Sequence, residues 1–167
     1  MADSSALHNT GNLQVTTPND LDIVMEREFN APQALVYQAL TRPDVIRRWF
    51  APQGWTFTAC DVDLRVGGDW RFVMQGPDGK PLGTRGRYTD LALDRIGFTK
   101  QFDDYPGETL VNTTLTERSG KTHLTTRVHY TSQAIRDAVL QHGWTPFYMA
   151  AFECLEATLK TLDTKTP

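Results

Sequence analysis

The sequence predicts an α+β domain in which an antiparallel meander is covered on one face by a long C-terminal helix. Between residues 54 and 130, runs rich in aromatic and β-branched residues alternate with reversals rich in Gly, Pro and Asp. This steady spacing favours hairpins over parallel βαβ units. After residue 132 the apolar residues recur with the period of a helix instead. A sheet with one apolar face needs a cover, and the final helix supplies it.

The N-terminal part predicts a tail, one strand and two short helices. Residues 1–20 are polar and show no period, so we expect a flexible tail that can be removed without loss of folding. Residues 21–29 predict the first strand. Asn30 is expected to cap a helix with Pro32 in its first turn. The second short helix is predicted by an apolar stripe, made of Val45, Ile46, Trp49 and Phe50.

The central part predicts the rest of a sheet of about six to seven strands. In residues 54–66 the apolar side chains change from odd-numbered to even-numbered positions along the predicted strand. This change indicates either a bulge near Ala59 or a strand end that is buried on both faces. Gly67-Gly68 leads into an alternating strand rather than a helix, so these glycines predict a turn and not a phosphate loop. Further strands are predicted at residues 83–93, 95–102, 108–117 and 121–130.

Two helices are predicted to complete the domain. Ser132 is expected to cap a short helix that Gly143 ends, and Thr145-Pro146 to open the long one. The long helix carries an apolar stripe of Tyr148, Ala151, Leu155, Leu159 and Leu162. We therefore expect a single domain over residues 21–163 and a C-terminal tail over residues 164–167.

Composition disfavours several classes of protein. The 167 residues suit one domain, and a net charge of −3 argues against a nucleic-acid binder, which needs a basic face. No apolar stretch approaches the length of a membrane span, and the N-terminus lacks the layout of a signal peptide, so we expect a cytoplasmic protein without a membrane partner. Cys60 and Cys154 form neither a disulfide framework nor a metal motif. The sequence neither predicts nor excludes a homodimer.

Four stretches of the sequence resemble a known family: REFNAPQALVYQALTRPDVIRRWFAPQGWT, DVDLRVGGDWRFVMQGPDGK, RGRY and SGKTHLTTRVHY. Over residues 22–163 the chain resembles bacterial homologues of the activator of heat-shock-protein-90 ATPase, in the START-like, SRPBCC superfamily. The resemblance implies the helix-grip (Bet v 1-like) fold, a curved antiparallel sheet around a long C-terminal helix with a cavity for a mostly apolar ligand. It implies no single activity, since the superfamily includes lipid carriers, ligand sensors, cyclase-type enzymes and co-chaperone domains.

Aromatic side chains are the main candidates for a ligand site. Ligand pockets are mostly apolar with a few inward polar groups, and the indole N–H groups of four tryptophans need partners. For any single member, plain core is the alternative interpretation. This sequence has Trp144 at a position where the family that it resembles usually has methionine. It has Phe147 where that family usually has glycine. The candidate ligand-binding residues are Trp49, Trp55, Trp70, Phe72, Met74, Arg87, Tyr88, Phe102, Trp144, Phe147 and Tyr148.

Evidence for catalysis is weak. His123 and His129 share a strand face, but six residues separate them by roughly 20 Å, too far to share a metal. Asp61 and Asp63, two residues apart, are typical of a strand face that is exposed to solvent. No candidate nucleophile has an adjacent base. We expect no metal and no cofactor.

The predicted function is binding of a small, largely apolar or aromatic molecule. One alternative is a cyclase, dehydratase or hydrolase that uses His142, Tyr88 or Arg87 in the same cavity. The other is an interaction protein that modulates a chaperone. Arg85 or Arg87 is the candidate to point inward and hold a carboxylate or phenolate of the ligand.

Overall fold

The protein has the α+β helix-grip fold, with nine strands and four helices in the part that the computed structural model describes: residues 6–10, 13–51, 54–104, 107–142 and 144–162. The strands are β1 (Ala6–Thr10), β2 (Leu13–Thr16), β3 (Asp22–Phe29), β4 (Thr56–Val62), β5 (Asp69–Gln75), β6 (Pro81–Ala92), β7 (Arg95–Phe102), β8 (Glu108–Arg118) and β9 (Lys121–His129). The helices are α1 (Gln33–Thr41), α2 (Pro43–Trp49), α3 (Gln133–Gln141) and α4 (Trp144–Leu159). All strand pairs are antiparallel, in the order β1-β2-β3-β9-β8-β7-β6-β5-β4.

The N-terminal hairpin corrects the predicted domain boundary. Strand β2 pairs with β3, Val15 lying opposite Met25, and Leu13 and Val15 are buried in the core while Gln14 between them is exposed. The predicted tail over residues 1–20 is therefore wrong for β1 and β2, and this hairpin raises the strand number above the prediction. Residues 1–5 and the predicted tail at 164–167 lie outside the described residues.

The turns and the bulge of the meander agree with the sequence. The β4–β5 register shifts between Phe57 and Ala59, which confirms the predicted bulge. Gly67 has φ +85°, a value that favours glycine, and β5 follows directly. The Gly67-Gly68 pair is thus a turn between strands, as predicted.

The helix starts were predicted less accurately. Pro32 is the N-cap of α1 with an extended ψ of 155°, so the helix begins after it and Asn30 does not cap it. Ser132 caps α3 as predicted, because its hydroxyl oxygen accepts a hydrogen bond from the Ile135 N–H. Helix α4 begins at Trp144, one residue before the predicted cap, and Thr145 is buried inside its first turn.

The core fills the space between the helices and one face of the sheet, here called the inner face. On α4, Ala151, Leu155 and Leu159 of the predicted stripe are buried. Phe152 joins them and meets Phe29 of β3 edge to face, with ring centroids 5.6 Å apart. The final helix is therefore the cover of the inner face, as the sequence predicted.

A buried carboxylate fastens β3 to β9 near the start of the domain. Asp22 is 3% exposed, and its carboxylate accepts hydrogen bonds from Arg127, His129 Nδ1 and Asn19. Arg136 of α3, also buried, donates to the carbonyl oxygens of Asn19 at 2.7 Å and Asp22 at 3.1 Å. These bonds hold α3 against the β2–β3 connection.

We expect stability to depend on the ionisation of Asp22. Burial raises the pKa of this carboxyl, but hydrogen bonds from Asn19, His129 and Arg127 outweigh burial, so the pKa lies below its usual 3.8. A group with a depressed folded-state pKa stabilises the fold above its unfolded-state pKa and loses that contribution as pH falls through the folded-state value. Asp22→Asn should therefore lower the free energy of unfolding at neutral pH by roughly 1–3 kcal/mol.

Urea unfolding of both proteins at about pH 7 and about pH 3 tests this expectation. The gap between wild type and Asp22→Asn should narrow in acid, whereas the neighbouring exposed Asp20→Asn should leave stability unchanged at both values. A gap of equal size at the two pH values would contradict the role given to the charged form.

Candidate functional site

An apolar cavity of about 120 Å³ lies between the inner face of the sheet and helices α2 and α4. Aromatic and aliphatic side chains form most of its wall, and threonines and one lysine supply polar groups. The lining residues are Met25, Leu40, Ile46, Trp49, Phe50, Trp70, Phe72, Thr84, Ile96, Phe98, Lys100, Phe102, Thr109, Val111, Thr113, Leu124, Thr126, Val128, Tyr130, Tyr148 and Phe152.

The aromatic part of the wall is centred on Phe50, which follows directly after α2. Its ring lies 5.8 Å from Tyr148 of α4 and 6.0 Å from Phe72 of β5, centroid to centroid. Phe72 in turn packs against Trp70 at 4.9 Å. These tilted and edge-to-face contacts join one helix end, the final helix and the sheet. The cavity is therefore bounded by a continuous aromatic wall.

Threonines form the polar part of the wall. Thr113 and Thr126 face each other across β8 and β9, and their hydroxyl oxygens are hydrogen-bonded at 2.9 Å. Thr109 lies four residues before Thr113 on β8, and its hydroxyl donates to the carbonyl oxygen of Lys100 at 3.1 Å. Each of them alternates with less buried residues on its strand, so strand parity directs it inward.

Trp70 lines the cavity and carries an indole nitrogen that is buried without a partner in the described part of the chain. Its side chain is 5% exposed, and its Nε1 has no hydrogen-bond partner among the described residues. By contrast, the Nε1 of Trp49 donates to the Ala39 carbonyl oxygen at 2.8 Å. A buried donor without a partner costs roughly 1–3 kcal/mol, and because Nε1 packs against the backbone of Gly86, Trp70 contributes its ring rather than its N–H to the cavity wall.

Lys100 is the only charged residue among the described lining residues. It shares the inner face of β7 with Phe98 and Phe102, and its ammonium lies 5.0 Å from the centroid of the Phe102 ring. No ion pair to Lys100 is formed within the described part of the chain. The half-buried cation therefore meets an aromatic ring instead of a carboxylate.

Five of the predicted ligand-binding residues line this cavity. Sheet and helices both contribute, and the five share an aromatic ring that faces the space between them. They are Trp49, Trp70, Phe72, Phe102 and Tyr148. The side chain of Trp144 lies outside the described residues, so its predicted role stays a prediction.

Four other predicted apolar residues pack beside the cavity without lining it. Met74 is buried further along β5, and Tyr88 belongs to a small core cluster with Trp70 and Ile96. Trp55 and Phe147 pack edge to face against each other at 5.7 Å. For these four, core packing accounts for the aromatic or apolar side chain.

The expectation that an arginine of β6 points inward is wrong. Arg87 is 65% exposed and pairs with Asp69 at 3.1 Å, while Arg85 pairs with Asp103 at 2.8 Å. Strand parity explains the result, because Thr84 on the same strand faces the cavity and its odd-numbered neighbours must face away. Both guanidinium groups lie on the outer face of the sheet.

The side chains considered for acid–base chemistry lie elsewhere. Burial raises the pKa of Tyr88 to about 12, and His142 is an exposed residue at the end of α3. Burial also raises the pKa of Cys60 to about 11. His123 and His129 pair with Glu26 and Asp22 on the outer face. The described lining residues include no His, Cys, Asp or Glu.

Two general features of the described residues complete the site. No three His, Cys, Asp or Glu side chains of these residues come close enough to hold a metal ion. Within the same ranges, every helix is too short or too polar to cross a membrane.

The polar lining residues and part of the apolar wall were not predicted from the sequence. Lys100 alternates with Phe98 and Phe102, and Thr126 alternates with Leu124 and Val128, so strand parity was a signal that could have found them. Met25 and Phe152 were missed as well, because an apolar residue on a buried strand or helix does not reveal which core space it borders.

A family model described as "Activator of Hsp90 ATPase homolog 1-like protein" matches residues 30–156. A search of curated proteins found no match. Among solved structures, a protein from Rhodobacter sphaeroides is 29% identical with a TM-score of 0.85, over 91% of this chain and 100% of that one. A Nitrosomonas europaea protein is 27% identical (TM-score 0.77; 84% and 95% covered). A Mycobacterium smegmatis protein is 26% identical (TM-score 0.76; 84% and 92% covered).

Proposed function

The chain belongs to the family of Activator of Hsp90 ATPase homolog 1-like proteins, and we propose that it binds a small, largely apolar or aromatic molecule in the cavity between the sheet and α4. The observation that carries the proposal is the lined cavity itself. Its wall combines the aromatic rings of Phe50, Phe72 and Tyr148 with a few hydroxyl groups and one ammonium group. Binding pockets for small molecules have this composition.

The cavity volume limits the ligand. An engineered apolar cavity of about 150 Å³ in another protein binds benzene. The cavity in this protein, of about 120 Å³, is therefore suited to a molecule with roughly one aromatic ring or a short branched aliphatic body. A larger ligand would require lining side chains such as Phe50 or Tyr148 to move.

We expect that filling the cavity abolishes binding without unfolding the protein. Val111 points into the cavity from the middle of β8 and is buried. In Val111→Phe the added ring occupies the space that a ligand ring would need, so the affinity for toluene should fall by at least about tenfold, which corresponds to about 1.4 kcal/mol. Chemical-shift changes of lining residues in ¹H–¹⁵N spectra during a toluene titration measure this affinity.

The matched control is Leu110→Phe, the same type of enlargement on the neighbouring residue, whose side chain is exposed on the outer face. Its affinity for toluene should equal that of wild type. The melting temperature of Val111→Phe should be retained, because the ring enters empty space rather than a packed core. Absence of shifts at lining residues in wild type would overturn the proposed function.

A further inference from the structure

Trp70 and Lys100 lie at the same level of the sheet, with a glycine between them. Trp70 of β5 pairs with Gly86 of β6, and the register of the flanking β6–β7 pairs places Gly86 opposite Lys100. Because neighbouring strands are about 4.8 Å apart, the backbones of Trp70 and Lys100 are separated by roughly 10 Å. Both side chains border the cavity from this row.

Gly86 allows the Trp70 indole to pack directly on the backbone of β6. A Cβ at this position would lie 2.6 Å from Trp70 Nε1 and 1.7 Å from the Thr99 carbonyl oxygen. The indole nitrogen therefore lies over the backbone of Gly86 and is closed off from the cavity, which leaves Lys100 as the polar group of this row that a ligand can reach. Lys100 has no ionic partner among the described residues.

From this arrangement we infer that the ligand of the cavity is an acid, with an apolar body against the aromatic wall and an anionic group held by Lys100 Nζ. The inference rests on the proposed function, since it concerns the ligand of the same cavity. A carboxylate would accept hydrogen bonds from the half-buried ammonium of Lys100 and give it the opposite charge that the protein does not supply. The outward-facing arginines of β6 play no part.

Four probes with one ring and different head groups test the charge preference: toluene, benzamide, benzoate and benzylammonium. In wild type at about pH 7, benzoate should bind about tenfold more tightly than benzamide, because hydrogen bonds to charged groups are the stronger ones. Benzylammonium should bind least.

Variants of Lys100 assign the preference to its charge. In Lys100→Met the preference for benzoate over benzamide should fall to within about twofold, while Lys100→Arg should keep it. The matched control is Lys80→Met, which removes an exposed lysine at the β5–β6 turn and should behave as wild type. The melting temperature of each variant shows that it is folded.

The outcomes separate the inference from the proposed function. Equal binding of toluene, benzamide and benzoate, or a benzoate preference that survives Lys100→Met, would overturn the inference and leave the cavity as a binding site for neutral molecules. If none of the four probes shifts any lining residue, the proposed function fails and the inference fails with it.

Discussion

Leu13→Ala should destabilise the protein by about 2–5 kcal/mol, because the side chain is buried and its removal leaves a cavity under the hairpin. This is a large fraction of the roughly 5–15 kcal/mol that hold an ordinary domain together. Strand β2 covers β3 on its otherwise open edge, so weakening β2 also exposes the backbone groups of residues 22–29. Urea unfolding followed by tryptophan fluorescence measures the loss.

Gln14→Ala is the control for Leu13, since its side chain is exposed between Leu13 and Val15 on the same strand. It should change the free energy of unfolding by less than about 0.5 kcal/mol. A Leu13→Ala protein as stable as Gln14→Ala would show that β2 is dispensable and would restore the tail that the sequence predicted.

Gly86→Ala should be the most damaging single methyl group that can be added to the meander. The new Cβ would lie 1.7 Å from the Thr99 carbonyl oxygen, a backbone atom of the neighbouring strand that cannot rotate away. Overpacking of this kind costs about 1–3 kcal/mol and occasionally more, and we expect the upper end here. The shift should also displace the Trp70 indole, whose Nε1 lies 2.6 Å from the same position. The melting temperature and the Trp70 indole resonance report the two effects separately.

Gly83→Ala on the same strand is the matched control. There the added Cβ would lie 2.1 Å from Asp103 Oδ2, the end of a side chain on the outer face that can turn away. We expect a smaller loss of stability and an unchanged Trp70 resonance. Equal losses from Gly83→Ala and Gly86→Ala would mean that β6 and β7 separate easily, contrary to the close backbone approach at Thr99.

The meander and its helical cover could be predicted from the sequence because each element carries its own local signal. Strand β7 was predicted with its observed ends, since a turn precedes it and residues 95–102 have strand composition. The hairpin β1–β2 was not predicted, because Leu13 and Val15 alone are too few to establish a period. Its stability comes from the core that it joins rather than from its own composition.

The cavity could be predicted only in outline. Aromatic residues mark a region where apolar side chains crowd together, but Tyr88 and Trp70 look alike in sequence and only the fold places Trp70 on the cavity wall. Lys100 was passed over because a charged residue in a strand normally faces water. Lys100 is two residues from Phe98, so both side chains lie on the same face of β7. This spacing predicts that Lys100 faces the core only once that face of β7 is known to be covered.

The pairing of β3 with β9 has a consequence for how the chain is made. Strand β3 lies opposite residues about a hundred positions later, Asp22 against His129 and Phe29 against Thr122. A chain emerging from the ribosome can form the successive hairpins from β4 to β8 as they appear, because their partners are adjacent in sequence. Residues 22–29 have no β9 to pair with until residues 122–129 have left the exit tunnel. Non-local pairings of this kind slow folding. During synthesis, the apolar side chains of β3 therefore stay exposed until β9 is available. The N-terminal third of the nascent chain is thus the segment that chaperones most need to protect.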